Sequence, residues 1–257
     1  MVEIEDSGDR TTRSNLTESP GKAGGLPNFI QEELKMAGVR LQEAANDTNG
    51  DQDMPIHAAN LEYIIDSIIY QLNAKDTGGS YLFSGTKNDV APIIYDTGTQ
   101  SYSYAGNAEY REVSVAQGVT LKANVHLYSA FSTAGGNDMS ILTKLKQLSE
   151  NMKDTTKKKS DYQNDIQVLL DLTSKARDDV SGTVTELGYR TNMLELLDGV
   201  QITQTNANNQ LSTHLVGLTE DDKKDKILEL TQQESALQTS FLIYSKIYRI
   251  SLFDYIR

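Results

Sequence analysis

The chain has 257 residues and a mass of 28.4 kDa, with 24 Lys plus Arg against 36 Asp plus Glu and a net charge of −12. That acidity argues against a nucleic-acid binder, because phosphate contacts need clustered cations. The absence of cysteine excludes a disulfide scaffold, thiol catalysis and thiolate zinc sites.

No run approaches the ~18 apolar residues of a spanning helix. The opening MVEIEDSGDR has neither a basic n-region nor an apolar h-region, so it does not read as a secretory signal. Two locations stay compatible with this: the cytoplasm, or the outside by a route without a cleaved signal. The length allows one or two domains.

Residues 1–33 mix Ser, Pro and Gly with few apolar anchors, and the pattern predicts a segment that is mostly disordered. Helical rhythm begins at Leu34 and continues through Ala37, Leu41 and Ala44. After NDTNGDQDMP, Leu61, Ile65, Ile68 and Leu72 define a second helix that ends before Gly78. From Tyr81 the pattern changes. YLFSG, PIIYD, SYSYAG, EVSV and VTLKANV are short, rich in Tyr and Val, and separated by turn candidates at Asp96–Gly98, Gly106–Asn107 and Gln117–Gly118. In EVSV, Val113 and Val115 alternate with polar residues, as in a strand with one buried face.

Helical periodicity returns at Ile141, Leu145, Leu148 and Met152, with Asn137 or Asp138 as the expected N-cap. A loop, DTTKKKS, precedes a very long pattern from about Asp161 to His214. Its seam runs through Ile166, Leu169, Thr173, Ala176, Val180, Thr183, Leu187, Leu194 and Leu197. At 1.5 Å per residue that is roughly 80 Å of helix, weakened locally by Gly182, Gly188 and Gly199. Thr219, followed by Glu220, Asp221 and Asp222, marks the start of a last helix.

The expected fold class is mainly α with a small β insert: a long antiparallel helical bundle plus an antiparallel β domain. Four segments are expected: a disordered 1–33, helical bundle over 34–80 and 137–219, a small β domain over 81–136, and a C-terminal assembly helix over 220–257.

Catalytic chemistry finds no support. His57, His126 and His214 are isolated and lack a metal-ligand spacing. Asp47, Asn49, Asp51 and Asp53 alternate like a calcium loop, but Gln52 and Ala58 stand where Gly and Glu are needed. Ser84-Gly85-Thr86-Lys87 lacks the frame of a phosphate loop, and no G-x-S-x-G elbow occurs. The reading is a non-enzyme with no metal and no cofactor.

The strongest anomaly is the C-terminus. Ile227, Leu230, Glu234, Leu237, Phe241, Tyr244, Tyr248, Ser251 and Tyr255 form a heptad seam that is apolar at seven of nine places. Ile243, Ile247 and Ile250 add a second stripe, and Leu242 and Leu252 widen it. One apolar face suffices for a surface helix. This helix has more than one. It is either surrounded by its own chain or covered by other subunits. Membrane binding is the third option, with only Lys246, Arg249 and Arg257 as cations from residue 235 onward. Some eight buried apolar side chains at roughly 1.5–3 kcal/mol each supply on the order of 10 kcal/mol before ordering costs, enough to drive assembly.

Several segments carry a family resemblance. Tyr81-Leu82-Phe83-Ser84-Gly85-Thr86 follows a helix and precedes the β insert. Tyr104-Ala105-Gly106-Asn107, Leu187-Gly188-Tyr189-Arg190-Thr191-Asn192 and Leu41-Gln42-Glu43-Ala44-Ala45-Asn46 come with it. The ending adds Glu234, Ala236-Leu237-Gln238 and Ser251-Leu252-Phe253-Asp254-Tyr255. In this order they resemble the flagellin-like hook–filament junction family of flagellar hook-associated proteins, over about 35–257.

The resemblance implies a secreted structural adapter, outside the cell at the hook–filament junction, exported through the flagellar type III apparatus without a cleaved signal peptide. The partners it implies are a homo-oligomeric ring, the hook-side junction protein, flagellin and a cytoplasmic export chaperone, with no nucleic acid and no membrane. The assembly and chaperone interface then falls on Ile227, Leu230, Leu237, Phe241, Tyr244, Ile247, Tyr248, Leu252 and Tyr255, and Tyr81, Leu82, Phe83, Ser84 and Gly85 are the family motif. Residues 1–33 do not resemble the N-terminal helix that pairs with the C-terminal one in the family. A truncated chain, a replaced 5′ region and a misassigned start are the readings of that departure. The alternatives to the adapter are a minor flagellin, whose endings tend to lack the Asp254-Tyr255 pair, and a cytoplasmic helical scaffold or enzyme.

Overall fold

The structure is a computed structural model, and it describes residues 25–46, 50–116, 119–214 and 219–254, with side chains left undescribed over 211–214, at several positions between 220 and 241, and over 244–254. Helix α1 spans 25–45, and α2 (Met54–Leu72) follows a short 3-10 turn at Asp51–Asp53. Four strands come next: β1 (Ile93–Asp96), β2 (Ser101–Tyr104), β3 (Glu112–Ala116) and β4 (Val119–Lys122). After a 3-10 turn at Tyr128–Phe131 the chain is helical: α3 (Ser140–Lys153), α4 (Lys159–His214) and α5 (Glu220–Asp254). The fold is the expected one, mainly helical with a very long helix and small antiparallel hairpins.

Helix α1 reaches back into the segment expected to be disordered. Ile30 and Leu34 are both buried on its inner face. Pro27 stands in the first described turn, where a missing N–H breaks no intrahelical bond. Gly25-Leu26-Pro27 is therefore helical rather than a loop.

The chain divides into two compact units. One comprises the described residues from 25 to 112 and residues 122–190. Its core joins Leu34, Ala37, Leu41 and Ala44 of α1 with Leu61, Ile65, Ile68 and Leu72 of α2. Ile141, Leu145, Leu148 and Met152 of α3 and Ile166, Leu169, Ala176 and Val180 of α4 complete it. All four stripes follow the helical periodicity that places i, i+3, i+4 and i+7 on one face.

Cross-links fix the neighbours around this bundle. Ser67 Oγ donates to Glu33 Oε1 at 2.7 Å, joining α2 to α1. Lys153 pairs with Glu62, joining α3 to α2. The Lys159 backbone N–H donates to Asp51 Oδ1 at 2.9 Å and its ammonium to the Asn46 carbonyl at 2.6 Å, tying the start of α4 to the α1–α2 connection.

Strands β1 and β2 form an antiparallel pair with Ile93 opposite Tyr104 and Asp96 opposite Ser101. Strands β3 and β4 make a separate two-stranded sheet, so the β insert is two hairpins. YLFSG is not a strand. It makes a single bridge, Lys75 to Tyr81, and then bends, because Gly85 is left-handed at φ 77°. The expected cap of α3 also differs: the N-cap position is Met139 and makes no side-chain cap bond. Asp138 is engaged elsewhere, accepting from Ser132 Oγ. Gln117–Gly118 lies outside the described residues.

The other unit groups the described residues of 113–121 with those from 191 onward. Its buried apolar residues include Val115, Val119 and Leu121 of the second hairpin and Met193, Leu194 and Leu197 of α4. Helix α5 starts as its sequence indicates: the Asp222 backbone N–H donates to Thr219 Oγ1 at 3.3 Å.

Candidate functional site

The segment after α2 is organised by side-chain amides and glycines. Asn73 ends the helix and clips onto the strand. Its Nδ2 donates to the Ile93 carbonyl at 3.0 Å and its Oδ1 accepts from the Ile93 N–H at 2.9 Å. Asp76 then accepts from the N–H groups of Gly78 and Ser80, closing a turn of the Asx type. The Tyr81 N–H donates to the Asn88 carbonyl at 2.8 Å, and the Leu82 N–H to the Ala74 carbonyl at 3.0 Å. Lys75 lies over the Tyr81 ring at 4.5 Å. Leu82 packs against the core, while Phe83 and Ser84 are buried in it.

Two motifs that are some 20 residues apart in sequence interlock here. The Tyr104 hydroxyl is shared between the Phe83 carbonyl at 3.0 Å and the Asn107 carbonyl at 2.9 Å. The Asn107 N–H donates to the Ser84 carbonyl at 3.1 Å. Asn107 Oδ1 accepts from the Thr86 N–H at 2.9 Å, and its Nδ2 donates to Thr86 Oγ1 at 2.8 Å. The glycines make the approach possible. A Cβ on Gly85 would stand 2.2 Å from the Asn107 carbonyl oxygen, and one on Gly106 would stand 2.5 Å from the Tyr104 hydroxyl. Residue types at Phe83–Thr86 and Tyr104–Asn107 thus serve one knot that anchors the β1–β2 hairpin to the end of α2.

An aromatic column runs on from the knot. Tyr104 stacks on Tyr128 at 4.4 Å, and His126 meets Tyr128 and Tyr110 edge-on at 6.1 and 4.5 Å. Lys122 caps it, 3.7 Å from the Tyr110 ring centre. Burial pushes the Tyr104 hydroxyl well above the ordinary phenol range, so it stays a donor. Burial, with Lys122 and Arg190 adding to it, pushes His126 below its ordinary value.

Arg190 is 5% exposed and donates from Nη1 to the carbonyls of Lys122 at 3.0 Å and Asn124 at 2.8 Å. Its Nη2 pairs with Glu186 one turn earlier. This arginine of the Leu187–Asn192 stretch is therefore a structural tie between α4 and the end of β4 with the residues just after it.

The residues expected to carry assembly lie on α5. Ile227 is 51% exposed and Leu237 44%, while Leu230 is half-buried. Leu228 and Ile243, at 59% and 53%, add to the open apolar surface. Phe241, Tyr244, Ile247, Tyr248 and Leu252 fall on the backbone of the same helix, with side chains outside the described set, and Tyr255 lies outside the described residues.

Sequence reading missed Asn73, whose only signal was an amide after the last apolar position of a helix. It also missed an outward row on α2, Ile56, Tyr63 and Tyr70, exposed at 64%, 72% and 81%. The signal there was the spacing of seven. Among the described residues no three His, Asp or Glu side chains converge as metal ligands would, and no helix is long and apolar enough to cross a membrane. Asp47 and Asn49 lie outside the described set.

No protein-family model matches the chain, and no curated protein does. Solved structures do. One described as a flagellar hook-associated protein from Vibrio parahaemolyticus superposes with a TM-score of 0.72 at 27% identity, covering 81% of this chain and 90% of its own. Flagellar hook-associated protein 3 from Legionella pneumophila gives 0.71 at 14% identity over 84% of this chain and 99% of its own. FlgL from Xanthomonas campestris gives 0.68 at 12% identity over 82% and 97%. The mainly helical fold with one very long helix and small antiparallel sheets is the one that the resemblance implied, and the chain is FlgL-like, with the fold of the flagellar hook-associated proteins.

Proposed function

We propose that the chain is a structural component of the bacterial flagellum, an adapter that joins hook to filament by helix packing between subunits. The observation that carries this is α5. It is a 35-residue helix whose Ile227, Leu228, Leu237 and Ile243 are all more than two-fifths exposed. Rows of apolar side chains in water are a free-energy cost that a partner removes. The likeness to flagellar hook-associated structures supplies the setting in which such a partner is another filament component. The chain works as a structural protein and not as an enzyme.

On this reading the subunit is exported unfolded by the flagellar type III apparatus. A cytoplasmic chaperone covers the apolar end of α5 until export. Outside the cell the protein forms a ring between the hook-side junction protein and the first flagellins. The test is location and attachment. Antibodies to the chain should label the hook–filament junction of sheared flagella, and Phe241→Asp or Tyr248→Asp should leave hooks without filaments. Label confined to the cytoplasm, or normal filaments on both variants, would overturn the proposal.

A further inference from the structure

The outer face of the α1–α2 pair carries a row of large apolar side chains that the core does not use. On α2 it is Ile56, Tyr63 and Tyr70, one residue per heptad. On α1, Phe29 and Met36, 62% and 43% exposed, keep the same spacing. The Ser67–Glu33 hydrogen bond sits between the two rows and sets them side by side, so Phe29 comes near the level of Tyr70, and Met36 near that of Tyr63. Together these side chains present on the order of 500 Å² of apolar surface, the size at which a patch marks an interaction site.

Another surface of the same bundle complements it. Lys153–Glu62 sets α3 beside α2, and Lys159 ties the start of α4 to the α1–α2 connection. The groove between α3 and α4 is a surface distinct from the one that carries the row. It holds a cleft of about 170 Å³, floored by Leu148 and Leu169, with Val168 on one wall and Lys144, Asn151 and Asp165 at the rim. An apolar floor with polar rim groups suits a tyrosine, whose ring is apolar and whose hydroxyl needs a partner.

The two features are also level. The C-terminus of α2 and the N-terminus of α3 both meet the β1–β2 hairpin, through Asn73–Ile93 and Thr143–Tyr102, so the helices run antiparallel. With Glu62 opposite Lys153, Leu148 falls beside the stretch between Tyr63 and Tyr70. A patch and a pocket on two different surfaces, at one height, suit a head-to-tail contact, which gives a ring when the rotation between neighbours closes.

We infer that the α1–α2 tyrosine row of one subunit docks into the α3–α4 cleft of the next copy of this chain. This rests on the proposed ring and names its lateral surface, separate from α5. The cysteine-free background supplies the test. Full-length Tyr63→Cys and Val168→Cys are prepared separately and oxidised mildly, alone and mixed. The mixture should give a disulfide-linked dimer at least tenfold more abundant than either variant alone. Tyr63→Asp should lower self-association at least tenfold, measured by light scattering. Equal dimer from Tyr63→Cys alone would overturn the inference, because the row would then meet its own copy. Absence of the mixed dimer while the unmodified chain is multimeric would overturn it too, yet leave assembly through α5 standing. A chain that stays monomeric at millimolar concentration would overturn both.

Discussion

The Tyr104 hydroxyl donates to the carbonyl of Phe83 across 3.0 Å, closing a chain segment of some 20 residues with one buried hydrogen bond. Its second acceptor, the Asn107 carbonyl at 2.9 Å, makes the same oxygen the hub of the knot. A buried carbonyl left without a donor costs about 1–3 kcal/mol. Tyr104→Phe keeps the stack on Tyr128 and deletes only that hydroxyl. It should destabilise the folded chain by about 1–3 kcal/mol, read as a lower urea midpoint at unchanged slope. An unaltered midpoint would mean that the hydroxyl is dispensable.

The glycines should separate into two kinds. Gly85→Ala and Gly106→Ala each drive a methyl into the knot, against backbone oxygen at Gly85 and against Tyr104 at Gly106. Gly85 adds a left-handed backbone. Both should destabilise by several kcal/mol in thermal melts, on the order of an overpacked core or more. Gly182 on α4 has nothing within 4 Å of an added Cβ. Gly182→Ala should stabilise by about 0.5–1 kcal/mol, because alanine is the better helix former.

Arg190 cannot be replaced by lysine. Its fork reaches two carbonyls and a carboxylate at once, and an ammonium cannot span that geometry. Arg190→Lys and Arg190→Ala should both lower stability, by roughly 2 kcal/mol or more, with lysine recovering little of the alanine loss. Full rescue by lysine in a denaturant titration would show that charge alone matters.

Acid should act in two separate windows. His126 is held below its ordinary 6.5 by burial, so the unfolded chain binds that proton more readily. Its contribution is complete above about pH 6.5 and is lost as pH falls from there through the folded value. Asp138 is lowered below its ordinary 3.8 by the hydrogen bond from Ser132. Its contribution is complete above that value and fades only as pH drops through the lower folded one. His126→Phe should erase the upper window and leave the lower one, in a plot of urea midpoint against pH. Two windows persisting in the variant would assign the upper one to another group.

Much of this architecture was legible because helices announce themselves by spacing. Leu61, Ile65, Ile68 and Leu72 repeat at four and three, and each is buried. Thr219 is followed by acids and caps its helix. The start of α1 was not legible, since Gly-Leu-Pro reads as a loop, and only the packing of Ile30 against the core shows otherwise. Tyr81–Gly85 has the composition of a strand, but its neighbours in space lie at Asn88 and Asn107, where no local pattern points. The role of Arg190 was hidden for the same reason: its carbonyl partners are 66 and 68 residues away in sequence. On α5, the excess of apolar residues was plain from spacing.

The β1–β2 turn is closed entirely by its own atoms. Asp96 accepts from the Gly98 N–H at 2.7 Å, and the Thr99 and Ser101 hydroxyls bond at 2.8 Å. Residues 97–100 are exposed, while the clip at Asn73 and the knot at Tyr104 hold the hairpin at its other end. An epitope spliced between Thr97 and Gln100 would therefore be displayed on the protein's surface with the anchorage intact, a handle for following the chain wherever it goes.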